Sequence, residues 1–184
     1  MDKKKIKNNI LIIGGTGFIG YHLAKKCLQL GWKVTSLSLN KPKSFRKLAK
    51  VRYLRGDISS KKSLKKINKN FDYVINLGGY VDHINKKKNY RNHFKGCVNL
   101  VDIFLNKKIK LFLQVGSGTE YEKKRAPHKE YFVCNPKSIY ARPKFLATNF
   151  LIKKHKQNNF PFTVVRLYQI FGEKQDSNRI IPFI

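Results

Sequence analysis

The stretch Ile10-Leu-Ile-Ile-Gly-Gly-Thr-Gly-Phe-Ile-Gly20 constrains this 184-residue chain more than any other. Four consecutive apolar residues predict a buried strand, and glycines at 14, 17 and 20 follow at once. A turn this tight requires Gly14, whose missing Cβ permits positive φ, while Gly17 lets the backbone approach a phosphate. Gly20 allows the next helix to pack close against the strand. The start of that helix, at Phe18 and Ile19, would offer free N–H groups and a positive dipole end to a pyrophosphate. Glycines in a G-x-G-x-x-G pattern between a strand and a helix point to a bound dinucleotide.

Strand-like and helix-like segments alternate along the rest of the chain. Apolar runs at 10–13, 33–39, 51–54, 73–77, 111–115 and 162–167 read as strands. Helical spacing marks 16–30, closed by Gly31, then 59–69, capped by Ser59 or Ser60, and also 93–106 and 138–156. This alternation predicts an α/β fold with a doubly wound, mostly parallel sheet, residues 1–184 forming one dinucleotide-binding domain. Ligands of such sheets bind beyond the carboxyl ends of the strands. The chemistry is therefore expected in loops 14–20, 38–46, 55–58, 77–83, 116–128 and 168–176.

Charge and cysteine usage narrow the partners. Lys and Arg number 40 against 10 Asp and Glu, enough to attract polyanions whatever the fold. They are spread over every segment rather than gathered into a stripe with interleaved aromatics, so a solvated basic surface is expected and no specific nucleic-acid site. No apolar run is long enough to span a membrane, residues 1–9 form only a short basic leader, and no membrane partner is expected. Cys27, Cys97 and Cys134 are widely spaced without a C-x-x-C pair, and Cys27 and Cys97 fall on apolar helix faces. His22, His83, His93, His128 and His155 show no ligand spacing and are expected to be solvated or locally bonded. No metal site is expected, and a reducing cytoplasmic location fits.

Ser117 follows the strand Leu111-Phe-Leu-Gln-Val115, and Tyr140 and Lys144 open a later helix in Pro136-Lys-Ser-Ile-Tyr-Ala-Arg-Pro-Lys144. Four residues apart on a helix, Tyr140 and Lys144 project from one face. A phenol with a pKa near roughly 10 is a poor base at neutral pH, and a neighbouring ammonium is expected to favour its phenolate. Ser117 is placed to hydrogen-bond a substrate oxygen that alternates between alcohol and carbonyl.

With these residues the chain resembles the nucleotide-sugar epimerase/dehydratase family, the extended branch of the short-chain dehydrogenases/reductases. Gly14–Gly20 is similar to its cofactor loop, and Gly56-Asp57-Ile58 to its adenine-binding turn. Asn76-Leu77-Gly78-Gly79 resembles the N-L-A-A segment beside the cofactor, and Arg166-Leu-Tyr-Gln-Ile-Phe-Gly172 the R-L-x-N-V-Y-G segment between nicotinamide and sugar. Ser117, Tyr140 and Lys144 match the catalytic set. The resemblance implies an NAD(P)-binding Rossmann fold and a nucleotide-sugar substrate contacted by Gln169. It implies hydride transfer at a sugar ring carbon, as an epimerase or 4-ketoreductase, with a non-catalytic dinucleotide-binding module as the alternative. It further implies a homodimer built on the helices around 98–105 and 145–151, and a C-terminal substrate lobe that is truncated or absent here.

Several positions depart from the family pattern. Gly118-Thr119 replace the Asp-Glu pair of 4,6-dehydratases, which disfavours dehydration. Glu122 replaces a glycine, Glu120 reads as a surface or loop carboxylate, and Pro143 is tolerable only in a first helical turn. Asn92 and Asn99 are candidates for a place near the active site. At the end of the second strand Ser38 and Asn40 stand without a carboxylate and Lys41, Lys43 and Arg46 follow, which favours NADP(H), with NAD(H) possible.

Overall fold

A computed structural model describes residues 8–65, 67, 70–80, 84–179 and 181. Six strands form one wholly parallel sheet: β1 (Asn9–Ile13), β2 (Lys33–Ser38), β3 (Val51–Arg55), β4 (Tyr73–Asn76), β5 (Leu111–Ser117) and β6 (Phe162–Leu167). Their order is β3-β2-β1-β4-β5-β6, the Rossmann arrangement. The chain reverses direction across the sheet between β1 and β4, which opens a crevice at their carboxyl ends. The expected doubly wound parallel fold is the fold observed.

Hydrophobic clusters lie on both faces of the sheet, as continuous apolar strands require. Leu11, Ile13, Val74 and Phe112 pack with Leu100, Phe104 and Leu151 on one face, while Ile10, Ile12 and Ile75 pack with Ala24 and Cys27 on the other. Helix α1 (Phe18–Gln29) ends at Leu30, with Gly31 at φ +77. Gly31 N–H donates to Leu28 and Trp32 N–H to Cys27, the two bonds of a Schellman motif. Helix α2 (Lys61–Leu64) is capped by Ser60, and Lys66, Asn68 and Lys69 of the expected longer helix lie outside the described residues.

The helix expected at 93–106 differs most from its prediction. Asn85 caps α3 (Lys86–Asn89), which runs into a π-helical segment (Tyr90–Lys95) and then into α4 (Gly96–Phe104). The run Lys86-Lys-Lys-Asn carries no apolar periodicity, so its helix had no signal to read. Helix α5 (Ala141–Asn158) begins directly after Tyr140, its N-cap. Pro143 is the third residue of the helix, where an N–H has no helical partner to lose.

Candidate active site

The glycine turn after β1 forms the floor of one long cleft. Gly14 has φ +77, and a side chain there would press on the backbone of Leu77 and Gly78 at 3.2–3.3 Å. A Cβ at Gly20 would strike the Gly14 carbonyl, so only glycine lets α1 approach this closely. Gly17 is the N-cap of α1; it carries no side-chain cap and no acidic residue follows in the first turn, so the helix start is open to an anion. On one side of the turn the cleft is walled by Ser38, Asn40, Asp57, Ile58, Gly78 and Gly79. On the other, about 640 Å³ across the same glycines, it is walled by Phe18, Ile19, Ser117, Tyr140, Lys144 and Gln169. Gly14, Gly17 and Leu77 border both sides. A dinucleotide fits this surface: a flexible-backbone turn and an uncapped helix start at the centre, with a cavity on each flank.

Neighbouring residues brace the cleft. Ser38 Oγ accepts from Thr16 N–H at 3.3 Å, which ties the glycine turn to β2. Asp57 accepts from Ser59 N–H at 2.7 Å, and Ile58 is buried, its side chain against Gly78 and Gly96. Asn76 donates to Gln114 at 2.7 Å and accepts from Gly78 N–H at 3.1 Å, which fixes the turn after β4.

Ser117 is the last residue of β5, and Tyr140 and Lys144 face the same cavity from the start of α5. Ser117 Oγ accepts from Thr119 N–H at 3.2 Å and Thr119 Oγ1 at 2.9 Å, which directs its own proton outward. Lys144, 5% exposed, donates to the Val115 carbonyl at 3.3 Å, and its Nζ stands 5.2 Å from the Tyr140 ring centroid. Burial pulls the Lys144 ammonium down to about 8, against the opposing pull of Glu120. Burial likewise pushes the Tyr140 phenol up, opposed by Arg179 and assisted by Glu120. In the ligand-free protein burial thus works against the phenolate that a lysine one turn away was expected to favour.

Two residues have roles that sequence reasoning missed. Glu120, expected at the surface, is 0% exposed. It closes a capping box with Ser117 around the 3₁₀ turn Gly118–Tyr121 and pairs with Arg166 at 3.2 Å. The S-x-x-E spacing of Ser117 and Glu120 was the available signal. His93, expected to be solvated or locally bonded, is 2% exposed and meets the Tyr140 ring edge-on at 5.3 Å. Its Nε2 lies 3.1 Å from the Tyr80 carbonyl, and Nδ1 is buried without a partner. Burial, then the Lys144 charge, lowers its pKa to about 3. The spacing of His93 to Cys97, Leu100 and Phe104 placed it on the core face of that helix.

Neither asparagine borders the cavity of Ser117, Tyr140 and Lys144. Asn92 donates back to Lys88 O at 2.9 Å and borders the Asp57 side of the cleft, while buried Asn99 donates to Ile58 O at 2.9 Å. Two of the cations expected near Ser38 are engaged otherwise: Lys43 and Arg46 pair with Asp176 at 2.7 and 3.2 Å. His83 lies outside the described residues. No His, Cys, Asp or Glu cluster able to hold a metal occurs among the described residues, and no described helix is long and apolar enough to cross a membrane.

The model of the NAD dependent epimerase/dehydratase family matches residues 10–184. The chain belongs to this family. Among curated relatives of this epimerase/dehydratase chain is a putative UDP-glucose 4-epimerase of Methanocaldococcus jannaschii, 25% identical over 91% of this chain and 57% of its own length. Among solved structures, an epimerase of Methanothermobacter thermautotrophicus superposes with a TM-score of 0.87 at 20% identity, over 96% of this chain and 57% of its own. The UDP-glucose 4-epimerase of Thermus thermophilus in complex with NAD superposes with a TM-score of 0.82 at 22% identity, over 92% of this chain and 58% of its own. At these identities the structural likeness shows the fold. The family member described here spans about half the length of the curated relatives it matches.

Proposed function

We propose that this chain is the dinucleotide-binding domain of an enzyme that moves a hydride to or from a ring carbon of a nucleotide-sugar, as an epimerase or 4-ketoreductase. One observation carries the reading: Ser117, Tyr140 and Lys144 border the same cavity as the glycine turn. The family membership supports the substrate class. A bound dinucleotide supplies the hydride donor and acceptor. Tyr140 exchanges a proton with the sugar oxygen. Ser117 donates to that oxygen, Lys144 holds the ribose, and Gln169 faces the sugar. Gly14, Gly17, Phe18, Ile19 and Gly20 take the pyrophosphate, and Ser38, Asp57, Ile58, Leu77, Gly78 and Gly79 flank the adenosine half.

The cofactor preference read from sequence weakens with Lys43 and Arg46 committed to Asp176. NAD(H) becomes the expected ligand, with NADP(H) admitted because no carboxylate closes β2. The remaining proposals are a homodimer built on α4 and α5, a cytoplasmic enzyme and a product used for surface polysaccharide. Gly118-Thr119 continue to weigh against dehydration.

Titration calorimetry with NAD⁺ and NADP⁺, then incubation with a UDP- and dTDP-hexose panel followed by NMR, tests the reading. Binding with turnover that Tyr140→Phe abolishes supports an enzyme. Binding without turnover of any sugar leaves a non-catalytic dinucleotide module, and no binding to either dinucleotide refutes both.

A further inference from the structure

We propose that Glu120 is a positioning residue of this site: its buried carboxylate holds Ser117 and the first turns of α5 in register and supplies the negative charge that balances the Lys144 ammonium. The proposal rests on the reading of Ser117 and Lys144 given above and extends it to a residue that touches no ligand.

The geometry is specific. Glu120 Oε1 accepts from Ser117 N–H at 2.9 Å, so the carboxylate fixes the backbone of the residue whose hydroxyl faces the cavity. Oε2 accepts from Thr148 Oγ1 at 3.0 Å and from Arg166 Nε at 3.2 Å. Thr148 Oγ1 also lies 3.2 Å from the carbonyl of Lys144, one turn earlier in α5. A single carboxylate thus joins the end of β5, the helix that carries Lys144, and β6. Gly116 is the space that admits it, since a Cβ there would collide with Oε1. A surface loop needs none of this.

The charges pair in the same way. A fully buried carboxylate persists only where cations and donors repay its desolvation. Arg166 supplies one cation from β6 and is itself held by Tyr121 Oη at 3.0 Å. Lys144, on α5, makes no direct ion pair with Glu120 but feels its charge, and Thr148 links the Glu120 carboxylate to the Lys144 carbonyl. Glu120 also feels Tyr140 from the start of α5 and Cys134 from the loop before it. Lys144 is faced by Glu120, by neutral His93 from the π-helical segment and by Tyr140. Among these groups Glu120 favours the charged lysine and burial opposes it.

The test follows the Lys144 ammonium directly, in the ligand-free chain, by NMR of ¹³C-labelled lysine side chains with the resonance assigned by its loss in Lys144→Arg. Wild-type Lys144 is expected to titrate near 8. Glu120→Gln keeps the shape and removes the charge, and shifts that titration downward. Arg166→Met frees Glu120 from its competing cation, and shifts it upward. Glu120→Asp retains the charge and restores the titration toward wild type. Should one variant fail to fold, the sign in the other decides. An unmoved Lys144 in either folded variant, or a shift of opposite sign, overturns the proposal. Because no dinucleotide or sugar enters this measurement, absent turnover would count against the proposed enzyme and leave the charge coupling standing, while normal turnover with an unmoved Lys144 would do the reverse.

Discussion

Lys144 Nζ stands 5.2 Å from the centre of the Tyr140 ring and donates to the Val115 carbonyl at 3.3 Å. The amine therefore meets the face of the phenol and the end of β5; Lys144 is buried beside the glycine turn and Tyr140 is half-buried there. Burial shifts each toward its neutral form.

For Lys144 that shift is measurable as stability. Lys144 titrates near 8 when folded and near 10.5 when exposed, so below pH 8 the folded protein carries a buried charge at a disadvantage. Between those values the unfolded chain binds more protons, and this residue's contribution to stability rises with pH. Lys144→Met is expected to stabilise the ligand-free protein at pH 7, by up to about 3 kcal/mol from the linkage. The gain shrinks as pH passes from 8 toward 10.5, and urea unfolding at pH 7 and pH 10 checks both parts.

His93 gives the opposite dependence. Its folded pKa near 3 lies below the ordinary 6.5, so the unfolded chain gains a proton first on acidification. Stability supplied by the neutral imidazole is complete above 6.5 and falls as pH drops toward 3. The His93 ring resonances should stay constant from pH 5 to pH 8, and His93→Gln should flatten the stability slope between pH 4 and pH 6. A His93 that titrates near 6.5 would remove the buried contact with Tyr140 from consideration.

Glu122 adopts φ 50 and ψ −112, a region that glycine enters freely and a side chain does not. This is the position where the family pattern has glycine. Its carboxylate accepts from Lys137 N–H at 3.0 Å, which offsets part of the strain. Glu122→Gly is expected to stabilise the protein by about 1 kcal/mol, from relief of a backbone conformation of roughly 1–3 kcal/mol less the lost hydrogen bond and the entropy of glycine. A fall in Tm would show that the hydrogen bond outweighs the backbone.

Asp176 fastens residues 173–176 beside the cleft. Lys43 hydrogen-bonds it at 2.7 Å, and Arg46, 3% exposed, bonds both Asp176 and the Lys174 carbonyl. The Lys43 bond, then Arg46, holds the Asp176 carboxyl below the usual carboxylate range. Its stabilising effect is present above the ordinary value near 3.8 and is lost as pH falls through the lower folded value. Asp176→Ala should cost about 1–2 kcal/mol, less than a fully buried pair because Asp176 is 35% exposed. Hydrogen exchange should quicken in residues 173–176 while β1 and β4 stay protected; unchanged exchange there would mean that the pair does not hold the segment.

Much of this protein was legible in its residues because the relevant signals are local. Continuous apolar runs such as Ile10–Ile13 announced strands buried on both faces, and Gly14, Gly17 and Gly20 announced the turn that only their backbone freedom permits. Ser117, Tyr140 and Lys144 were marked by type and spacing. Where no local period existed, as in Lys86-Lys-Lys-Asn, the helix went unread. Tertiary packing alone decided the electrostatics. Glu120 looks like any loop carboxylate until β6 brings Arg166 beside it, and Lys43 and Arg46 look free for a phosphate until Asp176, some 130 residues away, arrives. A charge's partner and its distance from water depend on residues remote in the chain, whereas a strand's apolarity and a glycine's missing Cβ travel with the residue itself.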